Sequence, residues 1–249
     1  MRIVILSGDN YFKKHEVSLD EILSYGDYGA FLGDAISKGL KPVKALRMLY
    51  KNGSGFLEIR EQLKKHDISV ELYFIVPFGV LRENDLIVPY APKLNELSME
   101  KLALFFMENN IIECVQNILE EEPDIIIIAL PYKVIKALGV LSYISRNTIA
   151  IIISDKVFPM YERNIGFLVN KPFSPKTCAT IISKLLRRIL WLAKENKIKD
   201  ILAERSANKL ISNYLEERRD LSLMRYILQG EKNDKKENCN TRRKTLFSD

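Results

Sequence analysis

Histidine, cysteine and tryptophan are scarce in this chain of 249 residues, which holds two His, three Cys and one Trp. His15 and His66 stand far apart, and no spacing of nearby carboxylates completes a metal site around them. Cys114, Cys178 and Cys239 are odd in number and have no neighbouring Cys or His at ligand spacing. That pattern argues against a disulfide framework and against zinc, so the thiols are expected to be two buried side chains and one in a tail. Neither a metal nor another cofactor is expected. The apolar runs break well before the roughly 18 residues that a spanning helix needs, and Met1-Arg2 leads straight into Ile3-Val4-Ile5-Leu6 without a leader pattern. The expectation is a soluble cytoplasmic protein with no membrane partner. Gly26, Gly29 and Gly33 do not form a phosphate loop, because no Gly-Lys-Ser/Thr follows them; tight turns and close helix packing account for them.

What the chain does have is a 47% hydrophobic content, enough for one large core with an appendage, and a net charge of +6 with a pI near 9.0. A positive surplus lowers the energy of approach to polyanions, of which nucleic acid is the commonest in cytoplasm.

Residues 2 to 7 read as a buried first strand. Pro42 fits the first turn of a helix through about Leu49, a polar hinge around Asn52-Gly53-Ser54-Gly55 follows, and a second helix runs from Phe56 to about His66. Helix, glycine turn and helix together have the outline of a DNA clamp, with Arg60, Lys64 and Lys65 as its cations, and also of a plain helical connection. Val70, Leu72, Phe74 and Val76 alternate as a strand, which Pro77 and Gly79 are expected to stop before a polar Arg-Glu-Asn-Asp turn; Ser98 is placed to cap a helix. Met99 to Glu121 predicts one long amphipathic helix. Ile125 to Leu130 is apolar on both faces, as a central parallel strand is. A helix over 132 to 143, a strand over 148 to 154, a third strand near Phe167-Leu168-Val169 and a helix from Ser174 or Pro175 to about Lys197 repeat the unit. The fold class is therefore α/β, a largely parallel sheet flanked by helices, in a domain spanning 1 to 197. A C-terminal helical appendage is expected over 198 to 230, available to a protein partner, with a disordered basic tail over 231 to 249.

Phe78-Gly79-Val80-Leu81-Arg82, Asp85-Leu86 and Pro89-Tyr90, followed by Leu94 to Ser98, resemble the signature of the YaaA-like superfamily. The opening strand, the segment Ala45 to Tyr50 with Ser54 and Phe56, and the strand ending near Tyr132 fall in the same order, so the likeness covers about residues 1 to 155. It implies an α/β nucleic-acid-associated protein, linked in that superfamily to peroxide and DNA stress and to glycosylase-like folds. The polar set that the family carries after its first strand is present here only as Ser7 and Lys13 or Lys14. Over residues 112 to 190, Pro123-Asp124-Ile125 to Pro131, Ile151 to Ser154 and Lys171-Pro172-Phe173-Ser174 resemble the second half of a response-regulator receiver, lacking its phosphoacceptor Asp and acidic pair.

A site is expected at strand ends and in the central loop. Its pocket would be formed by Ser7, Asp9, Phe78, Gly79, Tyr90 and Tyr132, with Arg82 offering a fork to phosphate, Asp85 acting as a base or orienting a nucleobase edge, and Tyr90 or Tyr132 stacking on a base. Arg82 and Asp85 equally suit a pair that closes the turn, and the aromatic residues suit core filling. Lys184, Arg187, Arg188, Lys194, Lys197 and Lys199 make a basic helix face, and Arg187, Arg188 and Lys194 join Arg60, Lys64 and Lys65 as candidate nucleic-acid contacts. Three roles stay open: a DNA- or RNA-binding protein, an enzyme on a nucleobase or nucleotide, and a receiver-like regulatory or scaffold protein.

Overall fold

The computed structural model describes residues 1–8, 17–46, 53–76, 78–88, 90–91, 97–159, 162–171, 173 and 175–218. Asp9, Lys13, Lys14, Pro172, Ser174, Cys239 and the tail expected over 231 to 249 lie outside them, as does the appendage beyond residue 218.

Six strands make the main sheet. The apolar run at the start becomes β1 (Arg2–Gly8), the tiny β2 (Val17–Ser18) and β3 (Val43–Lys44) lie apart from the sheet, and β4 (Ser69–Val76) and β5 (Gly79–Arg82) follow. After β6 (Leu86–Ile87) and β7 (Tyr90–Ala91) come β8 (Ile125–Ala129), β9 (Ile149–Ser154) and β10 (Ile165–Val169). The sheet order is β10-β9-β8-β1-β4-β5, with every neighbouring pair parallel except β4 and β5. Taken alone, the five parallel strands have the doubly wound order 2-1-3-4-5, which reverses direction between β1 and β8.

The helices are α1 (Leu19–Ser24), α2 (Tyr28–Ser37), α3 (Gly53–Lys64), α4 (Met99–Glu108), α5 (Ile111–Glu120) and α6 (Tyr132–Leu138), then α7 (Pro175–Lys194), α8 (Ile198–Glu204) and α9 (Ala207–Arg218). Strand alternation sorts the core into two layers. Ile3, Ile5, Phe74, Ile127 and Ile151 point to the layer formed with α3, α7, α8 and α9. Val4, Leu6, Ile75, Ile126, Ile128 and Ile152 point to the layer formed with α4, α5 and α6. Because β1, β8 and β9 are covered on both sides, their side chains are apolar on both sides, which explains the unalternating runs.

Several expectations are corrected by the packing. The strand does end at Val76, before Pro77, but the chain then reverses, and Gly79 to Arg82 pairs back antiparallel on Val76 to Tyr73. Val43–Lys44 is a strand paired with Leu86–Ile87, and only Ala45 and Leu46 of the helix expected from Pro42 are described as helical. Gly53 to Gly55 lie inside the first turn of α3 and are no hinge, so the described residues do not draw the clamp outline. The long helix over 99 to 121 is two helices, broken at Asn110, whose φ of 53° is left-handed. Cys178 is buried, but Cys114 is exposed on α5. The helices after 197 pack on the α/β body, as expected of the appendage: Ile201, Leu210, Ile211 and Tyr214 are buried with the sheet. Gly166 makes that contact possible, since a Cβ there would lie 2.4 Å from Ile211 Cδ1. Ser98 caps α4 as its sequence predicts, its side chain accepting from the Lys101 N–H at 3.2 Å.

Candidate functional site

In an open parallel sheet the crevice outside the carboxyl ends of the strands, where the strand order reverses, is the natural binding place. Here that edge is made by Ser7 and Gly8 at the end of β1, Ala129 to Tyr132 after β8, Ser154 to Lys156 after β9, and Asn170 and Lys171 after β10. Ser7 and Ala129 are register partners, so the end of β1 and the end of β8 form one row.

Asp155 organises the edge. Its carboxylate accepts from the Tyr132 backbone N–H at 2.7 Å, satisfying an orphan donor in the first turn of α6, and from the Ser154 hydroxyl at 3.3 Å. Tyr132, half-buried, stacks on Phe158 with 4.4 Å between ring centroids, and Phe158 in turn stacks on Phe167. The Lys156 ammonium lies 5.6 Å from the Tyr132 centroid, within cation–π range. On β10's side, the Asn170 N–H donates to the Ser154 carbonyl at 2.8 Å and its side-chain amide to Cys178 Sγ at 3.5 Å, fixing where Lys171 leaves the sheet. Burial pushes the Cys178 thiol up to about 12, so this thiol is a packing element. Lys156 thus stands beside an aromatic stack, with Lys133 following Tyr132 in the first turn of α6 and Lys171 exposed after β10.

Of the pocket residues expected from sequence, Ser7 and Tyr132 reach this edge, while Asp9 lies outside the described residues. Phe78 and Gly79 sit on the same side of the sheet, in the turn between β4 and β5. Phe78 is buried and stacks on Tyr28 at 4.0 Å, so it fills the core. Tyr28 also accepts from the Val88 N–H at 3.4 Å, and burial pushes its hydroxyl up to about 12. The backbone of Tyr90 pairs with Val17.

Arg82 and Asp85 are not brought to the crevice. Arg82 is in register with Tyr73, which pairs with Leu6, which pairs with Ile128. That sets it three strand spacings from β8, about 14 Å across the sheet, in the row one position short of Ser7 and Ala129. The Arg82 N–H donates to Asp85 Oδ2 at 2.6 Å, the Asp85 N–H donates to the Arg82 carbonyl at 3.1 Å, and the Arg82 guanidinium lies 5.9 Å from the Tyr73 ring centroid. The pair closes the β5–β6 turn.

The basic residues separate in the same way. Arg60 is half-buried against Glu83 and lies 5.9 Å over Phe56, an ion pair that ties α3 to the turn, whereas Lys64 and Lys65 are exposed. Arg188 lies 3.9 Å over the Trp191 ring and donates to Asn213 at 3.1 Å, bridging α7 to α9. Arg187 and Lys194 are exposed, and Lys197 lies 4.9 Å over Trp191. Sequence reasoning missed Asp155, Lys156 and Phe158. The available signal was a polar Ser-Asp-Lys step directly after a wholly apolar strand. Among the described residues no group of His, Cys, Asp and Glu is placed to hold a metal ion, and no helix is long and apolar enough to cross a membrane. No family model matches this chain, and no curated protein or solved structure matches it.

Proposed function

We propose that this chain is a nucleic-acid-binding α/β protein that receives a single strand at the carboxyl edge of its parallel sheet. One observation carries the reading: Tyr132, backed by Phe158, stands beside Lys156 at the crevice of a doubly wound sheet. An aromatic face with cations around it is what a base and its phosphates require. The positive surplus of the whole chain and the YaaA-like signature around Phe78 to Tyr90 agree with it. Arg187 and Lys194 are exposed on α7, which runs away from the carboxyl edge, so they are not part of this site. The test is fluorescence anisotropy with labelled single-stranded DNA and RNA. Affinity should fall steeply from about 50 mM to about 200 mM salt, and Tyr132→Ala should weaken it by about tenfold or more, the loss of one base stack. Binding that ignores both salt and Tyr132 would overturn the proposal.

A receiver-like regulatory role is favoured by a different observation. The parallel order 2-1-3-4-5, Ser154 ending β9 and Lys171 following β10 fit a receiver outline, while Ala129 and Leu130 stand at the end of β8, where the phosphoacceptor carboxylate belongs. Such a module signals without phosphorylation. Incubation with acetyl phosphate should leave the intact mass unchanged, and a phosphoryl adduct would contradict a phosphorylation-independent role.

A further inference from the structure

The amino ends of the strands carry a second polar concavity, opposite the crevice. It has a volume of about 550 Å³, and Ala203 is the one apolar residue in its wall; Arg146, Arg163 and Arg205 meet Glu162, Glu204 and Asn164 there. It has no aromatic side chain in its wall. Three guanidiniums suit phosphate oxygens, and two carboxylates suit hydroxyl donors. Glu204 is engaged by Lys209 at 2.5 Å, and Arg163 reaches it only at 3.2 Å while 66% exposed. Among the described residues Arg146 and Arg205 make no ion pair or side-chain hydrogen bond, although the Glu122 carboxyl, held below its ordinary range first by the Ser145 hydroxyl and the Asn147 amide, also feels the Arg205 charge. The Asn164 amide is committed to the Ser145 and Thr148 carbonyls, which fixes the floor. Arg205 also occupies a left-handed backbone position, φ 48°, between α8 and α9. Glycine is favoured at such a C-terminal position, so an arginine there is held at a conformational cost.

We infer that the concavity framed by Arg146, Arg163 and Arg205 binds a small non-aromatic phosphate monoester bearing hydroxyls, of the sugar-phosphate class. The guanidiniums of Arg146 and Arg205 clamp the phosphate, and Glu162 accepts from the hydroxyls. The site is independent of Tyr132 and of the carboxyl edge.

The test is isothermal titration of the full chain with ribose 5-phosphate, inorganic phosphate and a short single-stranded oligonucleotide. Ribose 5-phosphate should bind, and Arg205→Gly and Arg146→Ala should each weaken it by about tenfold or more. Because glycine suits the left-handed position, Arg205→Gly should melt no lower than wild type, which separates lost binding from lost folding. Glu162→Gln should weaken ribose 5-phosphate and leave inorganic phosphate unchanged, and Tyr132→Ala should leave both unchanged. Absence of heat with ribose 5-phosphate, or equal affinity in Arg205→Gly, would overturn the inference. So would an oligonucleotide that competes for the same arginines with higher affinity, since it would make this a nucleic-acid surface.

Discussion

The carboxylate of Asp155 accepts a 2.7 Å hydrogen bond from the backbone N–H of Tyr132, joining the residue after β9 to the first residue of the helix after β8. Two neighbouring strands are thereby locked together at their carboxyl ends. Asp155→Ala should cost about 1 kcal/mol, the ordinary value of a lost helix-terminal acceptor, and should weaken strand binding at Tyr132. Asp155→Asn, which keeps an acceptor, should recover most of the stability. Urea denaturation alongside anisotropy measures both effects.

Asp85 is expected to behave as a turn residue. Its bond to the Arg82 N–H at 2.6 Å is the contact at stake, and Asp85→Ala should lower stability by about 1 kcal/mol while leaving nucleic-acid affinity unchanged. A loss of binding or turnover without any loss of stability would return Asp85 to the functional set.

Gly166 leaves no room for a side chain between the sheet and α9. Gly166→Ala would bring a Cβ to 2.4 Å from Ile211 Cδ1 and 3.1 Å from Ala207 Cβ, so the helix must shift or Ile211 must rotate. Such overpacking typically costs about 1 to 3 kcal/mol. The midpoint of urea unfolding should fall, and Ile211→Ala in the same chain should restore part of it.

The Arg2 guanidinium holds the Glu71 carboxyl below its ordinary 4.5 through bonds of 2.7 and 3.0 Å, and the Tyr73 hydroxyl adds to this. A carboxyl whose folded pKa is depressed contributes stability above its unfolded pKa and loses it as pH falls through the folded one. Arg2→Gln should therefore melt below wild type at neutral pH, and the gap should narrow as pH drops beneath about 4.5. Melting curves over an acid pH series decide it, and a gap that widens in acid would contradict the assignment.

The two described thiols should differ in reactivity. Cys114 is exposed, whereas Cys178 is 2% exposed and pushed up to about 12 by burial. In the native chain a maleimide should label Cys114 and leave Cys178 unlabelled until denaturant is added; peptide mass mapping separates them.

The strands were legible in the chain itself because their surroundings dictate their composition. A strand covered on both faces must be apolar at every position, and Ile125 to Ala129 and Ile149 to Ile153 are. Ser98 was legible for a similarly local reason, since a cap acts within three residues. Local pattern did not reveal the break at Asn110, because apolar spacing continues across it and only the left-handed φ of one residue ends the helix. Nor did it place the loop around Phe78 to Tyr90. The sequence identified that stretch as unusual, but its side chains serve different neighbours, with Phe78 packed on Tyr28 and Arg82 held over Tyr73 by the returning β5. Strand order decided which polar residues could meet. Tyr132 and Asp155 are 23 positions apart yet hydrogen-bonded because β8 and β9 are adjacent, while Arg82 lies three strands from β8 because β5 is the edge. Periodicity is a property of each segment, and the sequence alone determined it. Adjacency is a property of the assembled sheet, and only the tertiary structure fixed it.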